Sequence, residues 1–372
     1  MNICMITPEF KEGGIGNYVY QLSKKLVEKE IKVSIITRGD RKPTNKAVIE
    51  NMNVYKVPIL PLNPFHISIH EIFVNRLLKK IESEFDLLHL HSPILPNVST
   101  NLPIYLTAHT TYMNDTYYNE HNNIHSILDR LQSIFLKSKE IKSLKNSNMI
   151  STVSSTILQE INNYGIKNKI IKVIGNGVDE KIYYPSINNT QNKYILYTGR
   201  LSERKGLYDL LDSMYYINRK HPKVKLYISG KGPLLSTLKQ KVNKLNLDLV
   251  VKFLGYLPFK IMPLLYRNAY VHVVPSYYEG LPTVLLEAMA SGVPVVATSI
   301  GGSRDVISNT VDGFLVPTKN PLELAEAIIT LLFDSDLRDR MGKNARTKII
   351  NKYTWEKITD NIVSDYKNIS KF

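Results

Sequence analysis

The run from Ala269 to Gly302, AYVHVVPSYYEGLPTVLLEAMASGVPVVATSIGG, leaves little freedom in how the chain around it can fold. Ala269–Val274 is apolar and rich in β-branched and aromatic residues, which reads as a buried strand ending at Pro275. A loop, Ser276 to Leu281, precedes Pro282 at the first helical position, where proline is tolerated. The helix Thr283–Ala290 stops at Ser291-Gly292, and a second buried strand, Pro294–Thr298, leads into Gly301-Gly302. The first-turn amides of such a helix lack internal partners, and its dipole favours an anion there. Glu279 in the loop and Glu287 in the helix bracket that anion site with seven residues between them. Carboxylates accept sugar hydroxyls well, so the pattern suits a ligand with phosphate at the helix start and hydroxyls on either side. An ordinary strand–helix–strand unit with exposed acids is the alternative.

Strand-like apolar runs alternate with amphipathic helical stretches along the whole chain, which predicts parallel sheets with helices on both faces. The chain of 372 residues is about two ordinary domains long. Its 43% hydrophobic and 22% charged content is that of a globular protein. One cysteine, Cys4, excludes an internal disulfide framework and suits a reducing compartment; it lies in the first apolar run and reads as a core thiol. Met1-Asn2-Ile3 enters a strand without a basic leader, and no run reaches the roughly 18 apolar residues of a membrane span. A cytoplasmic protein is expected. The net charge of +15, densest between Arg219 and Lys252, favours anionic partners without choosing among nucleotide sugars, acidic lipid and nucleic acid. No zinc-finger spacing or aromatic-basic RNA motif accompanies it, so no nucleic acid is expected.

In the first half, the strand Asn2–Thr7 runs into Gly13-Gly14-Ile15-Gly16 and a helix Asn17–Lys29. Such glycines allow close approach to a phosphate, but the dinucleotide fingerprint fails. No third glycine follows at the right spacing, and the second strand, Lys32–Thr37, does not end in an acid. A tight strand–helix turn without a ligand is the other reading. His89 and His91 share a strand, Asp86–His91, and alternation puts both rings on one face. With no third ligand apparent, an acceptor-side or structural role is preferred to a metal site. His109 ends the strand Ile104–His109, where a parallel sheet opens on its ligand crevice. A basic amphipathic stretch, His125–Asn146, carries Ile127, Leu128, Leu131, Ile134 and Phe135, then Lys137, Lys139, Lys142 and Lys145 against Glu140. It could lie on an acidic membrane or bury one face on its own sheet. The apolar, proline-rich Pro58–Phe65 is a second hint of a membrane.

Together the PS, EGLP, EAMA, GVPVVAT and GG elements around Glu279 and Glu287 resemble the E-x7-E signature of glycosyltransferase family 4. Other elements extend the resemblance: the GGIG loop, IGNGVD at Ile174–Asp179, GRLSERKG at Gly199–Gly206, GKGP at Gly230–Pro233, Tyr256 after Val250–Gly255, GFLVP at Gly313–Pro317, and YTWEKI with Trp355. Asp305 stands where glutamate is commoner and Ser291 where cysteine often occurs. The resemblance is best over residues 194–330. It implies a GT-B fold, α/β, with two Rossmann-like parallel-sheet domains facing each other across a cleft. The expected domains are 1–185 on the acceptor side, 186–350 on the donor side after a linker Ser186–Lys193, and a tail 351–372 crossing back.

It further implies a retaining hexosyltransferase that takes a UDP- or GDP-linked sugar and needs no metal or other cofactor. Gly14 and Gly16 would close over the donor diphosphate, which Arg200 and Lys205 would neutralise, with Arg204 turned to solvent. Gly230 and Tyr256 would lie at the nucleotide, and the backbone at Gly280, Leu281 and Thr283 at the diphosphate. Glu279 would hold the sugar hydroxyls, Glu287 the ribose, and His109 would contact the transferred sugar. The acceptor is unidentified; a lipid-linked glycan, with weak peripheral membrane contact, is the expectation carried forward. A GT-B nucleotide-sugar epimerase and a non-enzymatic nucleic-acid-binding protein are the alternatives.

Overall fold

In a computed structural model the alternation of apolar runs and amphipathic stretches resolves into two sheets, each in its own compact unit. The structure describes residues 1–39, 44–60, 66–93, 95–112, 127–166, 169–186 and 194–370, without the side chains of 127–133. Most of the expected linker Ser186–Lys193, part of the proline-rich segment Pro58–Phe65, and His125 with the side chains of Ile127, Leu128 and Leu131 lie outside the described residues.

The first unit contains Met1–Asn176 and the segment from Trp355 onward. Its strands are β1 (Asn2–Thr7), β2 (Lys32–Arg38), β3 (Asn45–Ile49), β4 (Met52–Val57), β5 (Leu87–Ser92), β6 (Ile104–Ala108), β7 (Met149–Thr152) and β8 (Ile170–Val173). They run in the order β3-β4-β2-β1-β5-β6-β7-β8, parallel except for β3 against β4. The exception is a hairpin whose turn residues, Glu50 and Asn51, have φ of 49° and 64°. Those angles match the right-handed twist of paired strands. β3 is almost wholly exposed, so no hydrophobic alternation announces it in the sequence.

The helix Gly13–Glu28 starts four residues before the expected Asn17. Its early start has a local cause: the Glu9 carboxylate accepts from the amides of Ile15 and Gly16 at 3.0 and 3.1 Å, capping them from outside the helix. The same helix buries Tyr18, Val19, Leu22 and Leu26 in one apolar cluster with Trp355, Ile358, Ile362, Tyr366 and Ile369 of the helix Trp355–Ile369. The C-terminal helix is thus core, not trim. Cys4 is buried in β1, and burial pushes its thiol well above the usual range.

The helix Ile127–Asn146 buries Leu136, Glu140, Ser143 and Leu144. Ile134 and Phe135, expected on its apolar face, stand exposed, and Lys139 pairs with Glu71 at 2.5 Å. Spacing rather than composition decides this, because 136, 140, 143 and 144 fall on one helical stripe. Among the described residues, no helix is long and apolar enough to cross a membrane.

The second unit, Gly177–Thr354, holds β9 (Tyr194–Thr198), β10 (Leu226–Ser229), β11 (Val251–Gly255), β12 (Ala269–Val274), β13 (Val295–Thr298) and β14 (Gly313–Val316). Their order is β11-β10-β9-β12-β13-β14, parallel throughout. The order reverses between β9 and β12, and in open sheets of this kind ligands bind beside the C-terminal ends of the strands at such a point. The helices Leu207–Lys220 and Pro321–Phe333 pack on this sheet through Leu210, Met214, Ile217, Leu324 and Ile328. At the unit's start, the Arg346 guanidinium donates to the carbonyls of Tyr183, Ala290 and Glu180 at 2.6, 2.8 and 3.1 Å.

Trp355 is 4% exposed, with its ring edge-to-face on Tyr18 at 5.1 Å. Trp355→Ala should destabilise the first unit by about 3–5 kcal/mol, as for other large aromatic truncations in cores. Denaturant unfolding followed by hydrogen exchange should show lost protection in β1 and Gly13–Glu28, with β9–β14 unchanged; equal loss in both units would contradict the assignment of this helix to the first core.

Candidate active site

Every residue singled out in the second unit follows the C-terminal end of a strand. Arg200 and Lys205 follow β9, Gly230 follows β10, Tyr256 follows β11, and Glu279 to Glu287 follow β12. The loops after β9 and β12 meet directly, because those strands are neighbours. The Tyr277 amide donates to the Arg204 carbonyl at 2.7 Å. Gly206, at φ 65°, lets the chain turn where any Cβ would come within 1.9 Å of the Pro275 carbonyl oxygen. Gly301, at φ 39°, does the same against the Glu279 carbonyl oxygen, at 2.1 Å. Two close backbone approaches therefore hold the loops bearing Lys205 and Glu279 in place.

The side chains of those loops form one ionic group. The Lys205 ammonium donates to Glu279 Oε1, and the Ser276 hydroxyl donates to the same oxygen at 2.9 Å. Burial alone would raise the Glu279 carboxyl, but the charges of Lys205 and Arg204 and the hydrogen bonds from Lys205 and Ser276 outweigh it, holding the group below the usual carboxylate range. Arg204, expected to face solvent, is half-buried and bears on Glu279 through its charge; the short turn Glu203–Lys205 brings it back toward the β12 loop. Arg200, two residues past β9, is exposed.

Glu287 answers to a different environment. The helix Thr283–Ala290 has the bounds expected, with Pro282 at its N-cap, one place before the expected position. Proline offers no capping side chain, so the first-turn amides next to Gly280 and Leu281 are left uncapped by side chains. Glu287 is one turn further on and accepts from the Tyr266 hydroxyl at 2.7 Å. Tyr266 in turn meets Thr198 Oγ1 at 2.7 Å, and Thr198 meets His272 Nε2 at 3.0 Å. Since a carboxylate can only accept, the donors in this chain run one way: His272 to Thr198 to Tyr266 to Glu287. The Tyr183 hydroxyl faces the same carboxylate but falls short of a formed hydrogen bond. Burial raises Glu287 above the usual range, and the two tyrosine hydroxyls offset this only in part. Tyr183, Tyr266, Ser276, Thr198 and His272 were not singled out in the sequence. Each is an ordinary core residue by pattern, and only the fold aims it at a glutamate.

Gly230 closes the β10 turn, its amide donating to the Gly255 carbonyl at 2.8 Å. Tyr256 is 70% exposed after β11, with the Lys231 ammonium 5.1 Å from its ring centroid. Its free face is available for stacking.

In the first unit Gly14 is exposed with open space beside it, whereas Gly16 is buried against the backbone of Glu9 and Phe10. The Glu9 carboxylate sits against this helix start, as an internal anion. His109 lies just past β6, buried, its ring edge-to-face with Tyr18 at 4.6 Å and its Nε2 3.3 Å from His91 Nδ1. Burial drives His109 down to about 3, so it is neutral at ordinary pH. His89 and His91 share a face as expected, rings 4.0 Å apart. His89 is structural: the Tyr366 hydroxyl and Thr107 Oγ1 meet its two nitrogens at 2.6 and 2.7 Å. Among the described residues, no cluster of three or more His, Cys, Asp or Glu could hold a metal ion.

The two glutamates titrate in opposite senses. Glu279 is held low, so its contribution to stability is present above the unfolded carboxyl value and lost as pH falls through the lower folded value. Glu287 is raised, so stability falls as pH climbs from the unfolded toward the folded value. Glu287→Gln should therefore leave the melting temperature nearly unchanged near pH 4 and raise it at pH 7, while Glu279→Gln lowers it at pH 7 with a gap that closes on acidification. Melting curves across pH check both; parallel pH dependence of the two variants would contradict the opposed environments.

Residues 12–181 match Glycosyltransferase Family 4, and residues 179–348 match Glycosyl transferases group 1. An uncharacterized glycosyltransferase of Methanocaldococcus jannaschii is 30% identical, over 99% of this chain and 98% of that protein. Among solved structures, sucrose-phosphate synthase from Thermosynechococcus elongatus superposes with a TM-score of 0.82 at 23% identity, covering 99% of this chain and 98% of its own. HepE of Anabaena, solved in complex with UDP-glucose, gives 0.76 at 19% identity, covering 99% of this chain and all of the other.

Proposed function

The chain belongs to the GT-B glycosyltransferases of family 4 and group 1, and from that premise we propose that it moves a hexosyl group from a nucleotide diphosphate sugar to an acceptor hydroxyl with retained configuration. The observation that carries this reading is the Lys205–Glu279 pair at the reversal of the second sheet, beside the uncapped start of Thr283–Ala290. An ammonium has three N–H donors, and Glu279 occupies one. Lys205 can thus hold Glu279 ionised and still donate to a phosphate.

In this reading the diphosphate rests on the helix start at Gly280, Leu281 and Thr283, with Arg200 and Lys205 on its oxygens. Negative charge grows there as the glycosidic bond breaks, so these donors act more strongly in the transition state than before it. Glu279, kept ionised, accepts sugar hydroxyls and favours the positive charge that develops on the ring. Glu287, aligned by Tyr266, accepts the ribose hydroxyls, and Tyr256 stacks on the base. Neither carboxylate of the motif acts as a covalent nucleophile; the departing phosphate takes the acceptor's proton on the face it leaves. UDP-glucose, the ligand of the Anabaena protein, is the first donor to test, with GDP-linked sugars second.

Slow donor hydrolysis without acceptor, screened over nucleotide sugars, is the direct experiment. One sugar nucleotide should be cleaved, and Arg200→Ala or Lys205→Ala should each lower the rate about 10²–10³-fold, the usual loss for one transition-state donor. Folded variants of near-full activity would remove the diphosphate from this site.

The acceptor in this reading is presented at an acidic membrane surface. Ile134 (66% exposed), Phe135, Lys142 and Lys145 project from one helix into solvent, apolar and cationic together. Each lysine near anionic lipid adds about 1 kcal/mol. Liposomes containing acidic lipid should sediment the protein at low salt, and replacing Ile134, Lys142 and Lys145 by serine or glutamine should abolish this; a protein left in the supernatant has a soluble acceptor.

A further inference from the structure

We infer that His91 is a positioning residue for His109, fixing it in the tautomer that carries its proton on Nδ1 and offers that N–H to the bound sugar. The sugar contact rests on the function proposed above; the tautomer does not.

The argument is one of counting donors. His91 is the penultimate residue of the buried strand β5, opposite Thr107 of β6, and His109 lies one residue beyond β6, two on from Thr107 and so on the same face of the sheet. The rings stack at 24°, with His91 Nδ1 and His109 Nε2 3.3 Å apart. Burial lowers both, so each is neutral and holds a single N–H. One nitrogen of that contact must donate and the other accept.

His91 Nε2 settles which. It is buried and has no hydrogen-bond partner among the described residues. His89, the neighbouring ring, cannot serve it, because both nitrogens of His89 are already engaged. If His91 carried its proton on Nε2, a buried N–H would be orphaned, and orphaned donors are rarer and more costly than unused lone pairs. The proton therefore sits on Nδ1 of His91 and is donated to His109 Nε2. His109 is left with its own proton on Nδ1. That atom makes no hydrogen bond to the described residues and lies at the C-terminal edge of the sheet. A neutral imidazole so locked is a directed donor to a hydroxyl and cannot become its base through Nε2.

Histidine ¹⁵N NMR on the intact protein reads the tautomer without any assay of transfer. His109→Gln removes one of the nine histidine signals and so assigns it. The wild type should show His109 protonated on Nδ1 alone. His91→Leu should move that signal toward the Nε2–H form and lower kcat about tenfold, the scale typical when an orienting partner is lost. Nucleoside diphosphate binding should be unchanged. In His91→Asn the amide Nδ2 takes the place of Nδ1–H, so both signal and kcat should return; this variant keeps the test valid if leucine disturbs folding. A wild-type His109 protonated on Nε2 overturns the inference, as does an Nδ1–H form that persists in His91→Leu. A tautomer switch with unchanged kcat upholds the action of His91 on His109 and overturns the sugar contact alone.

Discussion

The contact between Lys205 and Glu279 is the constraint on which the donor unit turns. It joins two loops that meet only because β9 and β12 are neighbours at the point where strand order reverses. Burial alone would raise the Glu279 carboxyl, and the Lys205 charge, with Arg204 and the Ser276 hydroxyl, keeps it ionised in a place where burial works against it. The surrounding backbone exists to keep them together: Gly206 and Gly301 admit carbonyls closer than any side chain allows, and the Tyr277 amide ties one loop to the other.

Both units use the same device one layer deeper. A one-way chain of donors runs from a core histidine outward to a residue of the site, His272 toward Glu287 in one unit and His91 toward His109 in the other. In each, a nitrogen of the core histidine has no hydrogen-bond partner among the described residues. That suits a ring whose only proton points outward, the direction the Glu287 carboxylate independently requires in the second unit. Rigidity in these sites thus comes from the core, not from the loops.

Much of this was legible in the sequence where burial leaves a strong imprint. The strand Ala269–Val274 and the helix Thr283–Ala290 have the bounds their apolar patterns suggested. Legibility failed where the determining partner is distant. β3 is exposed and its turn is Glu-Asn, so neither period nor turn residue marks it. The helix at Gly13 starts early because Glu9, outside the helix, caps it. Arg204 turns back on Glu279 because a tight turn redirects it, which no local pattern encodes. Tyr266 looks like any buried aromatic until Glu287 is beside it. Ile134 and Phe135 were grouped with the apolar face by composition, and their helical phase puts them in solvent, off the buried stripe of Leu136, Glu140, Ser143 and Leu144.

The first unit closes its core with Trp355–Ile369, a segment that follows the whole of the second unit in the chain. A ribosome therefore releases these units in an order opposite to the one in which they can be completed. The second unit has all its strands and packing helices once residue 354 has emerged, while β1 and its helix still wait with Tyr18, Leu22 and Leu26 uncovered. Completion is thus inverted: the later-made unit has its whole core in hand first, and the earlier-made one waits for Trp355–Ile369 to close over β1 and its helix.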